Sequence, residues 1–406
     1  MNMGDNVQHS GPLVGIRVLD ISTVIAGPFA ATLLADFGAE VLKVEIPVSG
    51  DHLRHFPPEK DGVPLWTKVV NRNKRGVSLD LRTPEGRKLL ERLIPKYDVL
   101  IENFRPGTLD GWGLTADRLH ELNPGLIILR VTGFGQTGPY RQRPGFARIF
   151  EALSGFVSLC GERDGPPIYS GYPVSDSVTG LFGAMAILAA LRHRDHNGNG
   201  RGQQIDLSAT EAMFRLLDFS TVEYDQLGSV RSRSGNLNAY SAPCDIYPTS
   251  DQKWISMAAS APPVFARLTR ALNRPDLLSD PRFSTNVARL KHRDEIEKIV
   301  RAWFFERTAD EAMRILEAEE VSASPIYTIA DIYSDEHFAA RQAIIDAPDS
   351  DFGSIKMQTV VPRFSETPGQ VWRSGPGLGE HNQDVFCNDL GLSPAELDEL
   401  RARKVI

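Results

Sequence analysis

Asp176 is the residue of this chain best placed to do chemistry. It ends a turn-rich stretch at 170–175 and stands directly before an apolar helix predicted over 180–191. One interpretation is structural, because Asp is a preferred N-cap residue whose carboxylate accepts a backbone N–H. The other is chemical, since a carboxylate held beside a glycine-rich segment can act as a nucleophile and form a covalent acyl intermediate. The residue alone does not decide between the two.

Two loops carry cationic and amide side chains. Residues 71–75 read Asn-Arg-Asn-Lys-Arg, and residues 103–107 read Asn-Phe-Arg-Pro-Gly. A single loop of this kind is usually a solvated charge run. Both loops stand beside predicted strand ends, however, and ligands of open α/β sheets bind at the carboxyl ends of the strands. Arg binds phosphate through its bidentate fork and Lys as a point charge, so the two loops together predict an anion site.

Other motifs lack the context that their chemistry requires. Residues 133–138 match G-x-G-x-x-G, but the two prolines at 139–145 cannot begin the helix that would bind a pyrophosphate. His193 and His196 lie at a helix C-terminus without a third metal ligand at a useful spacing, so we predict no metal site. No G-x-S-x-G elbow and no Cys/His pair indicates a hydrolase.

Strands and helices alternate through the first half of the chain. The predicted strands of this region span residues 14–20, 41–44, 76–81, 98–101, 126–131 and 203–207. The predicted helices span residues 29–37, 83–97, 180–191 and 210–227. This alternation predicts an α/β fold with a parallel sheet covered on both faces. After residue 229 a strand pair at 244–247 and 254–258, followed by helices, indicates a smaller α+β domain.

Composition narrows the class of protein. The chain has 406 residues, enough for two or three domains, and its net charge of −7 argues against a nucleic-acid-binding surface. Cys160, Cys244 and Cys387 lie far apart and form neither a disulfide framework nor a zinc motif. No apolar run reaches about 18 residues and no signal pattern is visible, so we expect a cytoplasmic protein without a membrane span.

Taken together, these segments resemble the family III CoA-transferases, the group that includes formyl-CoA transferase, carnitine CoA-transferases and α-methylacyl-CoA racemase. The similar stretches are residues 13–20, 26–28, 38–45, 50–54, 73–75, 79–81, 84–87, 102–107, 133–135, 153–155, 176, 200–203 and 379–381. Each stretch is modest alone, but their order and spacing are specific, and they cover nearly the whole chain.

The resemblance implies a particular domain arrangement. A large Rossmann-like domain would be built from both chain ends, residues 11–210 and 332–406. A smaller α+β domain at 230–322 would be joined to it by a linker helix at 211–229 and a return linker at 323–331. The resemblance also implies a homodimer in which the two subunits interlock as rings.

The resemblance gives Asp176 the role of nucleophile. It would attack an acyl-CoA thioester to form an aspartyl mixed anhydride, and then an aspartyl-CoA thioester, before CoA passes to a second carboxylic acid. The substrates implied are thus an acyl-CoA and a carboxylate, with no metal. By motif matching, the contacts to coenzyme A fall on Val24, Leu79, Asn103, Phe104 and Arg105, with Lys74 and Arg75 as phosphate partners.

Several positions differ from individual branches of the family. Ile25 and Ile46 stand where formyl-CoA transferase carries a glutamine and an arginine, which argues against oxalate as acceptor. Phe146 and Ala147 stand where the racemase branch carries a histidine base, so an acyl-CoA racemase, the alternative enzyme, lacks its second base. A CoA-binding protein without activity is a third possibility. Arg148 either pairs with the second carboxylate of a short dicarboxylate or lies at the surface or between subunits.

Overall fold

The computed structural model describes residues 10–406. Their contacts divide them into two compact units. The large unit comprises the described residues up to Val157, together with Ser170–Ser229 and Ala340–Ile406. The small unit comprises Ser158–Tyr169 and Val230–Ala339. Both ends of the described chain therefore belong to the large unit.

A six-stranded, all-parallel sheet forms the centre of the large unit, in the order β5-β2-β1-β6-β7-β8. The strands of the chain are β1 (Arg17–Asp20), β2 (Glu40–Glu45), β3 (Glu59–Lys60), β4 (Val63–Pro64), β5 (Lys74–Ser78), β6 (Val99–Glu102), β7 (Ile127–Thr132), β8 (Gln204–Ser208), β9 (Cys244–Pro248), β10 (Trp254–Ala258), β11 (Ala323–Pro325), β12 (Ile344–Asp349) and β13 (Gly353–Gln358). The predicted α/β fold with a parallel sheet is confirmed, with strand ends displaced by a few residues. Two short antiparallel hairpins, β3–β4 and β12–β13, complete the unit.

Helices cover both faces of this sheet. The helices of the chain are α1 (Ala26–Asp36), α2 (Leu65–Val70), α3 (Pro84–Leu93), α4 (Thr108–Gly111), α5 (Ala116–Leu122), α6 (Ala147–Leu153), α7 (Val174–His196), α8 (Ala209–Phe214), α9 (Asp218–Leu227), α10 (Pro262–Ala271), α11 (Asn286–Lys291), α12 (Arg293–Phe305), α13 (Ala309–Ala318), α14 (Ile329–Ser334), α15 (Glu336–Ala340) and α16 (Pro394–Ala402). One apolar layer packs α1 and α7 on the sheet, and the other packs α3, α5 and the chain end. Because both faces are buried, the central strands are apolar without alternation.

The strand order reverses between β1 and β6. The chain passes from β1 outward to β2 and β5, and then returns to build β6, β7 and β8 on the other side. The loops that follow β1 and β6 therefore leave the sheet at a topological switch point. In open α/β sheets the crevice for a ligand lies at this point, outside the carboxyl ends of the strands.

The small unit contains the antiparallel sheet β11-β10-β9 and a helical layer. Its core includes the stacked rings of Tyr247 and Phe304, whose centroids are 4.7 Å apart. Residues 323–331 were expected as a return linker, but Ala323–Pro325 forms β11 and pairs with β10. The segment Ser158–Tyr169, expected in the large domain, also belongs to this unit.

The helix expected over residues 210–227 is divided into α8 and α9, with a break at 215–217. Helix α7 is longer than expected. By length and composition it is apolar enough to cross a membrane, although the sequence predicted no such span. It packs against α1, β7 and β8, so it is a core helix of the large unit.

Candidate active site

Asp176 lies inside the first turn of α7 rather than before it. The helix begins at Val174 with Pro173 as its N-cap residue, and no side chain caps it. The interpretation of Asp176 as an N-cap is therefore wrong. Within residues 10–406 its carboxylate makes no hydrogen bond and no ion pair. A carboxylate that is partly buried without a structural partner is available for chemistry.

The surroundings of Asp176 make this carboxylate more basic than usual. Burial raises the pKa of Asp176 to about 6, and the negative charge of Glu151 acts in the same direction. The dipole of α7 acts in the opposite direction, but such an effect is worth only about 0.3–1 kcal/mol. A shift of about two units corresponds to roughly 3 kcal/mol, so burial and the neighbouring charge prevail.

A close crossing of two helices brings Asp176 to the switch point. One turn after Asp176, Gly180 packs directly against α1. A Cβ atom at Gly180 would lie 2.7 Å from a ring carbon of Phe29 and 3.0 Å from the carbonyl oxygen of Ala26. Because α1 begins directly after the loop that follows β1, the first turn of α7 lies at the same edge of the sheet as that loop.

The loop after β1 contains a strained residue, Val24. Its φ is +66°, in the left-handed region that a β-branched side chain rarely adopts. Both carboxylate oxygens of Asp51 accept the N–H of Val24, at 3.0 and 2.9 Å. Asp51 is itself buried and lies 3.4 Å from the ammonium of Lys43. Strain of this kind persists only where the surroundings enforce it, and it is common at binding sites.

Asn103 closes the switch point from the other side. Its side-chain oxygen accepts the N–H of Thr23 at 2.8 Å, and its side-chain nitrogen donates to the carbonyl of Thr23 at 2.8 Å. The loops after β1 and β6 are thus joined by two hydrogen bonds. The next residue, Phe104, donates its N–H to Glu102 at 2.7 Å and packs edge-on against Trp112. Burial raises the pKa of Glu102 to about 7.

Arg105 and Leu79 occupy the same edge in different ways. The side chain of Arg105 is exposed and makes no ion pair or hydrogen bond within the described part of the chain. It is therefore free to bind an anion. Leu79 follows β5 and its side chain is buried in the core, while its N–H donates to the carbonyl of Glu45 at 2.7 Å. The backbone carbonyl of Leu79 is therefore the group of this residue that could contact a ligand.

Lys74 does not fit the expectation of a phosphate contact. Its side chain is 0% exposed, and its ammonium donates to Asp20 at 2.9 Å, the carbonyl of Pro28 at 2.7 Å and Asn71 at 2.9 Å. These three bonds use all the donors that the ammonium has. Burial lowers the pKa of Lys74 to about 8. Lys74 therefore belongs to a buried ionic network, which stabilises the ends of the central strands from within.

The loop at residues 71–75 also lies at the wrong edge for an anion site. Lys74 and Arg75 begin β5, whereas residues 103–107 follow β6, and the strands are parallel. The two loops thus lie at opposite edges of the sheet. Arg75 pairs with Asp389 at 3.1 Å, and Arg72 and Asn73 bind the carboxylate of Asp36 at the end of α1. This loop anchors α1 and the C-terminal segment.

A second basic loop, which the sequence analysis did not identify, lies at the carboxyl edge instead. Arg141 and Arg143 are exposed in the loop after β7. Gln142, between them, donates to the carbonyl of Pro106 at 3.0 Å and so joins this loop to the one that carries Arg105. The available signal was the pair of Arg residues two positions apart, directly after the glycine-rich segment 133–138.

Glu151 is the other functional candidate that the sequence analysis missed. It lies on α6, and its carboxylate accepts the N–H of Ser175, the residue before Asp176, at 3.1 Å. A single acidic residue inside the apolar run Phe150–Leu153 was the available signal. Among residues 10–406, no group of three or more His, Cys, Asp or Glu side chains is arranged to hold a metal ion.

The arrangement suits nucleophilic catalysis on a bound acyl group. A basic carboxylate stands at the switch point of a parallel sheet, at the same edge as two joined loops and the exposed guanidinium groups. Such groups bind the phosphates of a nucleotide-like substrate, and the carboxylate can form a covalent acyl intermediate.

Several known proteins are similar to this chain in sequence and in fold. The profile of CoA-transferase family III matches residues 13–382. The chain is similar to succinyl-CoA–D-citramalate CoA-transferase of Chloroflexus aurantiacus, with 46% identity over 396 residues, 97% of this chain and 98% of that protein. It is 44% identical over 406 residues to the β subunit of succinyl-CoA–L-malate CoA-transferase from the same organism, covering 99% of this chain and 100% of that subunit.

The crystal structure of a CaiB/BaiF family protein from Brucella suis is also similar. Its TM-score is 0.83 at 33% identity, and the alignment covers 96% of this chain and 100% of that one. Sequence and fold agree along almost the full length, which confirms the resemblance stated from the motifs. The chain therefore belongs to CoA-transferase family III, the CaiB/BaiF family, and it is a CoA-transferase.

Proposed function

We propose that this enzyme transfers CoA from an acyl-CoA to a short dicarboxylic acid, with Asp176 as the nucleophile. The observation that carries the proposal is the position of Asp176, a partnerless and unusually basic carboxylate in the first turn of α7. A carboxylate is the right nucleophile for this reaction, because its anhydride and its thioester are both activated and no ATP is needed.

The reaction then proceeds through four balanced exchanges. A carboxylate oxygen of Asp176 attacks the thioester carbon; a C–O bond forms, the C–S bond breaks, and its electron pair leaves on the CoA thiolate. The thiolate attacks the carbonyl carbon of Asp176 and releases the donor acid as a carboxylate. The acceptor carboxylate attacks this aspartyl-CoA thioester and releases the thiolate again. The thiolate finally attacks the acceptor acyl carbon, which restores Asp176. No net proton is consumed.

The carboxyl edge of the sheet would hold coenzyme A. The backbone of Val24 and the joined side chain of Asn103 line the switch point, and the Phe104 ring offers an apolar surface for the adenine. Arg105 with Arg141 and Arg143 would bind the phosphates, in place of Lys74 and Arg75. Their guanidinium groups are exposed, whereas Lys74 is enclosed by its own partners.

Two observations support a short dicarboxylate as the acceptor. The similar proteins of Chloroflexus aurantiacus are named for transfer to citramalate and malate, which are both short dicarboxylates. In addition, Arg148 lies on α6 directly after Ala147, whose carbonyl accepts the hydroxyl of Ser175 at 3.1 Å. The backbone of Arg148 is thus close to Asp176. We propose that its guanidinium binds the second carboxylate of the acceptor.

Trapping tests the nucleophile directly. Wild-type enzyme incubated with succinyl-CoA and hydroxylamine should be modified at Asp176, as located by peptide mass spectrometry, whereas the Asp176→Asn variant should remain unmodified and inactive. Retention of CoA binding by the variant, measured by calorimetry, is the control for folding. Wild-type-like turnover by the variant would exclude the proposed mechanism.

A panel of acceptor acids tests the substrate class. With succinyl-CoA as donor, we expect malate and citramalate to exceed acetate and propionate in kcat/KM. The Arg148→Ala variant should raise the KM for dicarboxylates about tenfold or more, because a charge-assisted hydrogen bond is worth roughly 1.5–3 kcal/mol. Its KM for monocarboxylates should stay unchanged. Monocarboxylates that outperform every dicarboxylate would exclude this acceptor class.

We also propose that the enzyme is a homodimer with interlocked subunits. Exposed apolar side chains follow one stripe of α7, at Leu181, Met185 and Leu188. Helix α9 has no buried residue, although it carries Phe219 and Val222. A ten-residue helix in which no residue is buried is marginal in water, so this surface supports a partner chain.

A further inference from the structure

Glu151 is a buried carboxylate that the transfer steps do not use. Its residue is 2% exposed, and within residues 10–406 no Lys, Arg or His side chain pairs with it. Burying an ionised carboxylate without a counter-ion costs several kcal/mol. A Gln or Leu at this position would avoid that cost. Its presence beside Asp176 therefore calls for a functional reason.

Two hydrogen bonds join the first turn of α7 to α6 around Glu151. Its Oε1 accepts the N–H of Ser175 at 3.1 Å, and the Ser175 hydroxyl donates to the carbonyl of Ala147 at 3.1 Å. Ser175 is completely buried. The residue before Asp176 is thus fixed on both its backbone and its side chain. These two contacts therefore fix the backbone directly before Asp176.

Glu151 is also the charged group that acts on Asp176. Helix α7 packs against α1, α6, α8, β7 and β8. The charged side chains on these elements are Asp36 on α1, Arg148 and Glu151 on α6, Glu211 on α8, Arg130 on β7 and Asp206 on β8. Of these, Glu151 raises the pKa of Asp176, in addition to burial.

We propose that Glu151 is a positioning residue for the nucleophile: it fixes the first turn of α7 through Ser175 and keeps a second negative charge beside Asp176, so that the carboxylate remains reactive toward thioesters. This inference rests on the proposed role of Asp176.

The chemistry explains why such a charge is useful. In the tetrahedral intermediate, the Asp176 carboxylate competes with the CoA thiolate as leaving group, and the less basic group leaves more readily. Against a thiol pKa of roughly 8.5, an ordinary Asp at roughly 3.9 would almost always leave first. Burial, together with the charge of Glu151, raises the pKa of Asp176 to about 6 and so reduces the difference from the thiol, and a larger fraction of the tetrahedral intermediate proceeds to the anhydride. The same shift makes the carboxylate a better nucleophile.

The test is the pH dependence of acyl-enzyme formation. The rate of hydroxylamine trapping with succinyl-CoA, without acceptor, is measured from pH 4.5 to 8 for wild type, Glu151→Gln and Glu297→Gln. Gln can still accept the Ser175 N–H but carries no charge. In the pH profile, the trapping rate should fall at low pH as Asp176 is protonated (the acid limb) and be constant at higher pH (the plateau). For Glu151→Gln we expect the acid limb to move about 0.5–1 pH unit lower and the plateau rate to fall about three- to tenfold. An acid limb and plateau equal to wild type would overturn the proposal.

Glu297→Gln is the matched control. Glu297 is a buried carboxylate of the small unit that likewise accepts a backbone N–H, from Cys244 at 3.0 Å. Its variant should lose stability without moving the acid limb. A limb that moves equally in both variants would assign the effect to general destabilisation and overturn the proposal. The Asp176→Asn variant separates the two hypotheses: trapping that persists there refutes the nucleophile itself, whereas an unmoved Glu151→Gln limb refutes only the role of Glu151.

Discussion

Asp51 holds the N–H of Val24 with both carboxylate oxygens, at 3.0 and 2.9 Å, and so maintains a left-handed Val at the switch point. The same carboxylate lies 3.4 Å from Lys43 and caps the turn at Leu53. A buried acidic group thus links the ionic network beneath the sheet edge to the backbone that would contact coenzyme A. Buried residues that would not contact the ligand thus determine the backbone conformation of the proposed binding surface.

The first prediction concerns Asp51. The Asp51→Asn variant removes one of the negative charges beside the Lys43 ammonium and weakens the hydrogen bonds to the N–H of Val24. We expect a loss of about 3 kcal/mol in the free energy of unfolding and a roughly tenfold weaker affinity for CoA. Urea unfolding and calorimetry measure the two effects.

The control for this prediction is Asp349→Asn, which breaks a second buried contact, to Lys68 at 3.0 Å, in the β12–β13 hairpin. It should destabilise the protein without changing the affinity for CoA. If both variants lose CoA affinity equally, the special role of Asp51 is wrong.

The second prediction concerns the stability cost of the buried Asp176 carboxylate. The pKa of Asp176 is raised from its ordinary value of 3.8 to about 6, so folding disfavours its charged form. This cost is absent below pH 3.8, grows as the pH rises, and is complete above about pH 6. The Asp176→Asn variant should therefore be more stable than wild type at pH 7.5 by up to about 3 kcal/mol, and its advantage should be about 2 kcal/mol smaller at pH 4.5. Urea unfolding at both pH values measures it, and a pH-independent difference would contradict the raised pKa.

Part of the site follows from the sequence and part does not. Asp176, Asn103 and Arg105 belong to local motifs, and a predicted parallel sheet places strand ends at one edge, so their grouping could be anticipated. Lys74 could not be assigned correctly, because its burial depends on Asp20, which is 54 positions away in the chain. A lysine in a basic run looks solvated until its distant partner is known.

The errors in secondary structure have similar causes. The sequence predicts that α7 starts after Asp176, because Asp is a favourable N-cap residue, whereas the helix begins at Val174 with Pro173 as its N-cap. β11 was expected as a linker, since Ala323–Pro325 forms a strand only through pairing with the edge of β10. Pairing between residues far apart in sequence decides the second case, and no local pattern records it.

The third prediction concerns Gly180. In the Gly180→Ala variant the added Cβ would meet Phe29 and the carbonyl of Ala26, so α7 must move away from α1. We expect a loss of about 1–3 kcal/mol in stability. Because Asp176 is one turn away, kcat should fall at least tenfold while the affinity for CoA changes little.

The comparison for Gly180 is Gly111→Ala. Gly111 is also helical, but its Cβ would meet no atom within 4 Å. This variant should be as stable as wild type or more stable by up to about 1 kcal/mol. Thermal unfolding of both variants measures their stability, and single-turnover kinetics of both variants measure the catalytic rate. If the two variants are equally stable and equally active, the close packing of Gly180 against α1 does not position Asp176.

The fourth prediction concerns the phosphates of coenzyme A. Arg105→Ala and Arg143→Ala should each weaken CoA binding about five- to tenfold at low ionic strength, since each removes charge-assisted hydrogen bonds. The difference from wild type should shrink at 0.5 M salt, where exposed charges are screened. Dephospho-CoA, which lacks the 3′-phosphate, should reveal which Arg binds that group. Arg118→Ala, which removes a partly exposed Arg on α5 that pairs with Glu91, should leave CoA affinity unchanged.

The last prediction concerns assembly. The apolar stripe of α7 includes Leu181 and Met185, which are 55% and 57% exposed. If a partner chain covers them, light scattering should give about 90 kDa, twice the chain mass of 44.9 kDa, without dissociation at nanomolar protein. Replacing Met185 by Glu would bury a charge in that contact, which costs several kcal/mol, and the subunits should dissociate or fail to fold. Lys88→Glu, at an exposed position of α3, should leave the mass at about 90 kDa. A folded and active wild-type monomer of about 45 kDa would refute the interlocked dimer, because threaded subunits cannot separate without unfolding.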